Sequence, residues 1–327
     1  MALKTDYKDY IPPSGGRKYK ITANSDGSSS VEDITQYQQV GDTWGAEDIN
    51  QVNKLVNGAV YPNLGTNTNF SNPINQRGAA SYTTTTEASI YCIDRWRILK
   101  NTTYTVASFT LTAPSYAARA CGMWQSNEMG AHQLSIGDDV TVSIYANGKL
   151  HTPTMKVIDR DLYDAFANVP ASYDCDDFEI VLCTYARDNT MYNLGIYPKK
   201  PLTVNYIKWE KGSVATPYVL KAFGDEFLEC LRYFVGGVGI VSAGIVSGST
   251  FRVLIPTPVP MRTAPSVTVK VADNVVYNGT FKALNTTVSN ITRQRNGIHL
   301  HIGMAASGVN NYPGIAYGLQ CDLSADL

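Results

Sequence analysis

The sequence predicts a mainly β protein: a jelly-roll β-sandwich followed by a second β domain, joined by short helices. Three observations predict this. Thr, Asn, Ser, Val, Gly and Tyr are abundant while Lys, Glu and Arg are sparse, a mixture that favours strands and turns over long amphipathic helices. Short apolar runs alternate with polar residues at a period of two and are cut by Gly, Asn, Asp and Pro. At 327 residues the chain is also too long for one compact core.

In chain order, residues 1–42 hold Pro12, Pro13, Gly15, Gly16 and the turn run NSDGSSS between two short strand-like pieces, RKYKIT and SVEDIT. Too few apolar residues are present to bury a core, so this segment reads as an attachment element that needs a partner surface. Residues 43–66 form a short helix and linker. GDTWGAEDINQVNKLVNG has Asp42 or Thr43 as N-cap, Glu47 and Asp48 in its early turns and Gly58 as its stop. Ile49, Val52, Leu55 and Val56 share one face, and a helix of about 22 Å is too short to stand alone in water. Its stripe packs either on copies of itself or on the following domain.

Residues 67–222 carry the strand runs TYTVASFTLTA, DVTVSIYA, TPTMKVID, FEIVLCTYA and LTVNYIKWE, the pattern of a two-sheet sandwich with a jelly-roll topology. Trp96 and Trp209 lie in strand pattern and are expected in its core. At GDEFLECLRYF the period changes to about 3.6, placing Phe223, Phe227, Leu228, Leu231 and Phe234 on one helical face. This run opens a C-terminal β domain, residues 223–327, which returns to strands from residue 236, with the glycines of VGGVGIVSAGIVSG suited to close β packing or tight turns.

Composition and motifs exclude several classes. The formal net charge of −1 gives no reason to expect a nucleic acid as partner. No apolar run is long enough to cross a bilayer, and the amino terminus has no secretory h-region. Cys92, Cys121, Cys175, Cys183, Cys230 and Cys321 show no CxxC spacing and read as reduced, buried thiols. His299 and His301 alternate on one strand face and are expected to meet solvent rather than a metal. There is no nucleophile elbow and no P-loop, so no catalytic residues are assigned and the protein is expected not to be an enzyme.

Five stretches in chain order carry a resemblance: SVEDITQYQQVGDTWGAEDIN, FSNPINQRGAASYT followed by YCIDRWRI, KWEKGSVATPYVLKAFGDEFLECLRYF, IPTPVPMRTAPSVT and the terminal LSADL. Together they resemble tail-fibre and receptor-binding-type proteins of bacteriophages and prophages. The resemblance implies a carbohydrate-binding-module-like jelly roll opened by NPINQRG and IDRW. Its closing strand would hold Glu210, Gly212, Ala215, Thr216 and Pro217, and a C-terminal β domain that trimerises would follow. Leu231 stands where relatives often have Gln.

The implied role is a homotrimer in the virion tail, assembled in the bacterial cytoplasm and acting extracellularly. Ile49, Val52 and Val56 are candidate trimer-helix positions. Residues 1–42 would attach to other tail or baseplate proteins, and the outward domains would adsorb to a bacterial surface glycan. A purely structural baseplate component and a tail-associated polysaccharide depolymerase are the alternatives.

Sugar recognition needs aromatic faces and planar hydrogen-bonding groups. ACGMWQSNEMG reads as turn-rich and offers Trp124, Gln125, Asn127 and Glu128; Tyr185, Arg187 and Asn189 sit where a strand gives way to a loop. Trp124 is equally a packing or interprotomer residue. The cluster YDCDDFE, with Asp174, Asp176, Asp177 and Glu179, is a solvated acidic turn or a structural calcium site, and no other cofactor is expected. One local cluster does not supply the two separated carboxylates of a glycoside hydrolase.

Overall fold

The computed structural model describes residues 11–38, 52, 63–85, 89–116, 119, 121–162, 168–185, 188–271, 274–277, 280–294, 297–304 and 312–325. They fall in two units, Met1–Val60 and Tyr61–Leu327.

In the first unit, β1 (Tyr19–Ala23) and β2 (Ser29–Asp33) make an antiparallel hairpin. Asp26 closes its turn by accepting the Ser28 N–H at 2.9 Å and the Ser28 hydroxyl at 2.6 Å. The cross-strand pair Ile21 and Val31 is exposed, so the hairpin buries no core of its own, as its composition predicts. The predicted helix falls almost wholly outside the described residues. Ile49 and Val56 lie there, while Val52 is helical and partly buried.

The second unit begins with a block of two antiparallel sheets. Its strands are β3 (Ser81–Thr83), β4 (Ile90–Tyr91), β5 (Arg97–Ile98), β6 (Thr103–Thr105), β7 (Thr110–Thr112) and β8 (Met123–Glu128). After the single-turn helix α1 (Met129–His132) come β9 (Asp139–Ala146), β10 (Lys149–His151), β11 (Thr154–Lys156) and β12 (Tyr173–Asp174). The long strands β13 (Phe178–Tyr185), β14 (Asp188–Pro198) and β15 (Leu202–Lys211) complete it.

One sheet runs β10-β9-β15-β7-β6-β3, with β11 also on β9; the other runs β12-β13-β14-β8-β5-β4. Alternation aims one side of each sheet at a shared core: Val140, Val142, Ile144 and Ile207 from the first, Ile180, Leu182, Leu194 and Met123 from the second. Trp96 and Trp209 sit at its centre, edge to face at 6.2 Å, with Phe70 5.0 Å from Trp96. Both indoles are fully buried, as expected. Such pairs add about 0.5–1.5 kcal/mol beyond the area they bury.

The block starts earlier than its sequence pattern predicts. Residues 63–66, expected as linker, are built into it: Leu64 donates its N–H to Trp209 O at 2.9 Å, and the Asn63 side chain bridges Gly65, Thr68 and Trp209. A Cβ on Gly65 would lie 2.3 Å from the Trp209 ring, so only glycine lets this segment lie flat on the indole.

Helix α2 (Phe223–Leu231) follows, carrying Asp225 and Glu226 in its first turn. Its expected apolar face is realised only in part. Leu231 is buried and Phe234 is buried but already in a strand, whereas Phe223 and Leu228 are 64% and 46% exposed. Glu226 and Cys230 are buried instead, because this side of the helix meets polar backbone of the sandwich.

The remaining strands are β16 (Phe234–Ser247), β17 (Thr250–Pro256), β18 (Ser266–Val271), β19 (Asn274–Tyr277), β20 (Thr280–Gln294), β21 (Gly297–Met304) and β22 (Tyr312–Ser324). The order β16-β17-β21-β20-β19-β22 returns to β16, so the sheet closes on itself, with β18 extending along β22 beside β19. Closure removes free edges, which is how a small β block avoids open pairing. Phe251, Val253 and Ile255 face Ile302, Leu300 and Ile298 across β17 and β21 and fill the interior. The glycine-rich run is strand β16, whose register shifts between Val235 and Val238, with Gly237 at φ +62° inside the bulge.

All six cysteines are free, and five are buried. His299 and His301 share the outer face of β21, half-buried with rings 5.1 Å apart. Among the described residues no helix is long and apolar enough to cross a membrane.

Candidate functional site: the joint and its cleft

The sandwich and the closed sheet meet around α2, and the meeting point is built from polar residues. Asn67, at φ 57°, is the hub; Asn tolerates this left-handed conformation better than most residues. Its N–H donates to Glu226 Oε1 at 2.7 Å and its carbonyl accepts the Trp96 indole N–H at 2.8 Å. Its side chain binds Ile74 N, Ile74 O and Asp94 O at 2.7–2.8 Å, so every polar group of this buried residue is used.

Beside it, the buried carboxylate of Asp94 receives the Gln76 side chain at 2.5 Å and Arg77 at 3.3 Å. Gln76 also bonds Phe234 O and Gly236 N, while the Arg77 guanidinium lies 3.7 Å over the Phe234 ring. Arg95, nearly fully buried, donates to Ser126 O and Asn127 Oδ1 and covers the Tyr233 ring at 3.4 Å. Stacked guanidinium–aromatic contacts of this kind contribute roughly 0.5–2 kcal/mol each.

A cleft of about 350 Å³ opens next to this joint. Asn127, Glu128 and His132 line it from the sandwich; Lys221, Glu229, Arg232 and Tyr233 line it from α2 and its flanks. Glu229 is held by Lys221 at 2.8 Å and by the Thr66 hydroxyl at 3.1 Å.

The Tyr192 hydroxyl accepts the Trp209 indole N–H at 2.9 Å and lies 2.6 Å from His132 Nδ1. Burial, helped by the nearby positive charges of Arg95 and Lys221, pushes the His132 pKa down to about 4. The imidazole is therefore neutral over the ordinary pH range. The cleft thus offers a neutral imidazole, an ammonium, a guanidinium and two carboxylates, a set suited to hydrogen-bonding a polyhydroxylated or charged ligand.

The residues singled out from sequence are distributed differently from expectation. The segment read as turn-rich is strand β8, paired with β5 and β14. Gln125 is fully buried, its amide exchanging bonds with the Thr66 backbone at 2.6 and 3.0 Å. Asn127 is buried too, with its Oδ1 on Arg95, although it borders the cleft. Both serve the fold's own hydrogen bonding, because a polar side chain inside a strand of a packed sheet must find its partners there.

Trp124 is half-buried on the opposite side of β8 and packs near the Arg97 guanidinium, 6.0 Å from its ring. Tyr185 is half-buried at the end of β13, two strands from β8 in the same sheet; Arg187 lies outside the described residues. The structure therefore does not gather Trp124, Gln125, Asn127 and Tyr185 into one surface.

The acidic turn is matched by lysines. Asp174 pairs with Lys199, and Asp177 with Lys200 at 2.5 Å and Asn147 at 2.9 Å. Asp176 stays exposed. Among the described residues no group of three His, Cys, Asp or Glu side chains converges as a metal site would require.

Sequence reasoning missed His132, Lys221, Arg232 and Tyr233 as a set. Lys221, Arg232 and Tyr233 flank α2 in one stretch, but His132 comes from a distant segment that only tertiary packing brings to them. Compared with known protein families, curated proteins and solved structures, the chain gives no match.

Proposed function

We propose that the protein is a phage tail-fibre or baseplate appendage, a homotrimer with a jelly-roll domain that adsorbs to a host-surface glycan. One observation carries this reading. Four of the five stretches on which the resemblance rests meet at the single joint described above. NPINQRG and IDRW supply Gln76, Arg77, Asp94 and Arg95; the α2 segment supplies Glu226, Tyr233 and Phe234. IPTPVPMRTAPSVT enters through Arg262 N on Arg232 O at 2.8 Å, and LSADL through Ala325 N on Tyr233 O at 2.6 Å. Scattered short matches would have no reason to be spatial neighbours; a shared two-block architecture would make them so.

The cleft at this joint is the favoured glycan site, since it holds the mixed donors and acceptors that sugar hydroxyls require. Weak sites in three copies would act together through avidity.

Light scattering on the full chain, followed by binding of the same sample to bacterial glycans and whole cells, tests the reading. A trimer that binds is the expected result; a monomer that binds neither overturns it. The second reading, a structural tail component without ligand, is favoured by one specific observation: Gln125 and Asn127 are consumed inside the fold. A trimer silent on every glycan would select it.

A further inference from the structure

Next to the cleft, a shallow groove of about 520 Å³ runs between α2 and the loop before β18, lined by Leu228, Val259 and Met261 together with Arg232, Arg262 and Arg293. Three guanidinium groups from three separate elements border one concavity. Arg293 is fixed there by donating to Met261 O at 3.0 Å and Arg262 O at 2.6 Å.

Arg232 and Arg262 both approach the Glu128 carboxylate, at 3.8 and 3.7 Å. These are charge contacts, too long for hydrogen bonds. Among the described residues neither guanidinium makes a side-chain hydrogen bond, and Arg262 Nε is buried with no partner. The carboxylates nearby are accounted for: Glu229 is held by Lys221, Asp225 lies exposed at the groove edge, and Glu128 alone faces the two arginines. With Lys221 counted, four cations stand against three carboxylates. Donors in a fixed planar fork, short of protein acceptors and in Arg262 largely covered, are what carboxylate recognition requires.

We infer that this groove is an anion subsite, and that the glycan of the reading above is a carboxylated one, built from hexuronic-acid units. The inference rests on that glycan reading. The sugar carboxylate takes the open N–H positions of Arg232 and Arg262 from the side away from Glu128. The ring's apolar face lies against Leu228 and Val259.

The test uses the full chain on an array of bacterial polysaccharides printed in pairs, each hexuronate-containing polymer beside its carboxyl-reduced counterpart. The expected result is at least tenfold weaker binding to the reduced member. A similar loss is expected for Arg232→Gln and Arg262→Gln, with a marked fall between 50 and 200 mM salt. Arg232 is half-exposed and its substitution leaves the fold intact, which the far-UV spectrum checks. Equal binding to both members of each pair, or hexuronate binding untouched by Arg232→Gln, overturns the anion subsite while the glycan reading stands. Silence on every polymer overturns both.

Discussion

The carboxylate of Glu226, on α2, accepts the backbone N–H of Asn67 at 2.7 Å and so ties the helix to the first β block. Glu226 is buried, and that burial raises its pKa above the usual carboxylate value, against the lowering effect of the Asn67 and Thr68 N–H groups.

Two substitutions separate the charge from the hydrogen bond. Glu226→Ala removes the acceptor from a buried N–H and is expected to cost about 1–3 kcal/mol. Glu226→Gln keeps an acceptor without charge and should leave stability at pH 7 unchanged or raised. The folded-state pKa is the higher one, so the folded protein gains relative stability as pH falls through that value and towards the unfolded pKa. Urea unfolding at pH 7 and pH 4 should therefore show any advantage of Glu226→Gln shrinking at the lower pH.

His132 titrates in the opposite sense. Its folded pKa of about 4 lies below the ordinary value of 6.5, so the unfolded chain binds the proton first. Stability is then complete above pH 6.5 and is lost as pH falls towards 4, by on the order of 3 kcal/mol in total. His132→Gln, whose side-chain amide can still hydrogen-bond the Tyr192 hydroxyl, should remove this component of the slope. Thermal melts at half-unit intervals from pH 4 to 7 would read it.

A buried ion pair closes the sandwich. Lys208 Nζ lies 3.1 Å from Glu210 Oε2, both side chains almost fully covered, and Thr216 donates its N–H and hydroxyl to the same carboxylate at 2.9 and 2.5 Å. Glu210→Ala leaves the lysine buried without its counter-charge and should destabilise by about 3–5 kcal/mol. Glu210→Gln keeps one acceptor oxygen, for the Thr216 N–H, and should cost less. Chemical denaturation of the two variants would rank them, and equal losses would show that the charge itself is irrelevant.

How much of this was legible in the sequence depended on where the determining partner lay. The period-two runs fixed the strands, Trp96 and Trp209 fell in the core, and the change of period at Phe223 marked α2, since each follows from neighbours along the chain. Gln125 and Asn127 were misread because MWQSNEM lacks apolar alternation. Its polar residues are satisfied by Thr66 and Arg95, far away in sequence. Glu226 and Cys230 took the buried side of α2 in place of Phe223 and Leu228 for the same reason: the surface they meet is polar backbone. The cleft was invisible because its lining is assembled only by tertiary packing.

The outer face of the closed sheet tests trimerisation. Strand alternation turns Ile245, Leu254 and Ile315 outward, where they are 49%, 50% and 42% exposed. Ile245 is opposite Arg252 and Pro313, and Ile315 is opposite Ala243, so three aliphatic side chains lie close together on the neighbouring strands β17, β16 and β22. Copies of the same chain related by a three-fold axis would cover such a patch, and the interior residues Phe251 and Val253 would not be disturbed by changing it. Leu254→Asp, combined with Ile245→Asp, should therefore convert a mass of three chains to a mass of one in light scattering while leaving the far-UV spectrum unchanged. It should also weaken adsorption to cells by 10²-fold or more, because single sites lose the avidity of three. A double variant that stays trimeric would move the subunit contact to another surface, and the helical segment containing Val52 would be the next to change.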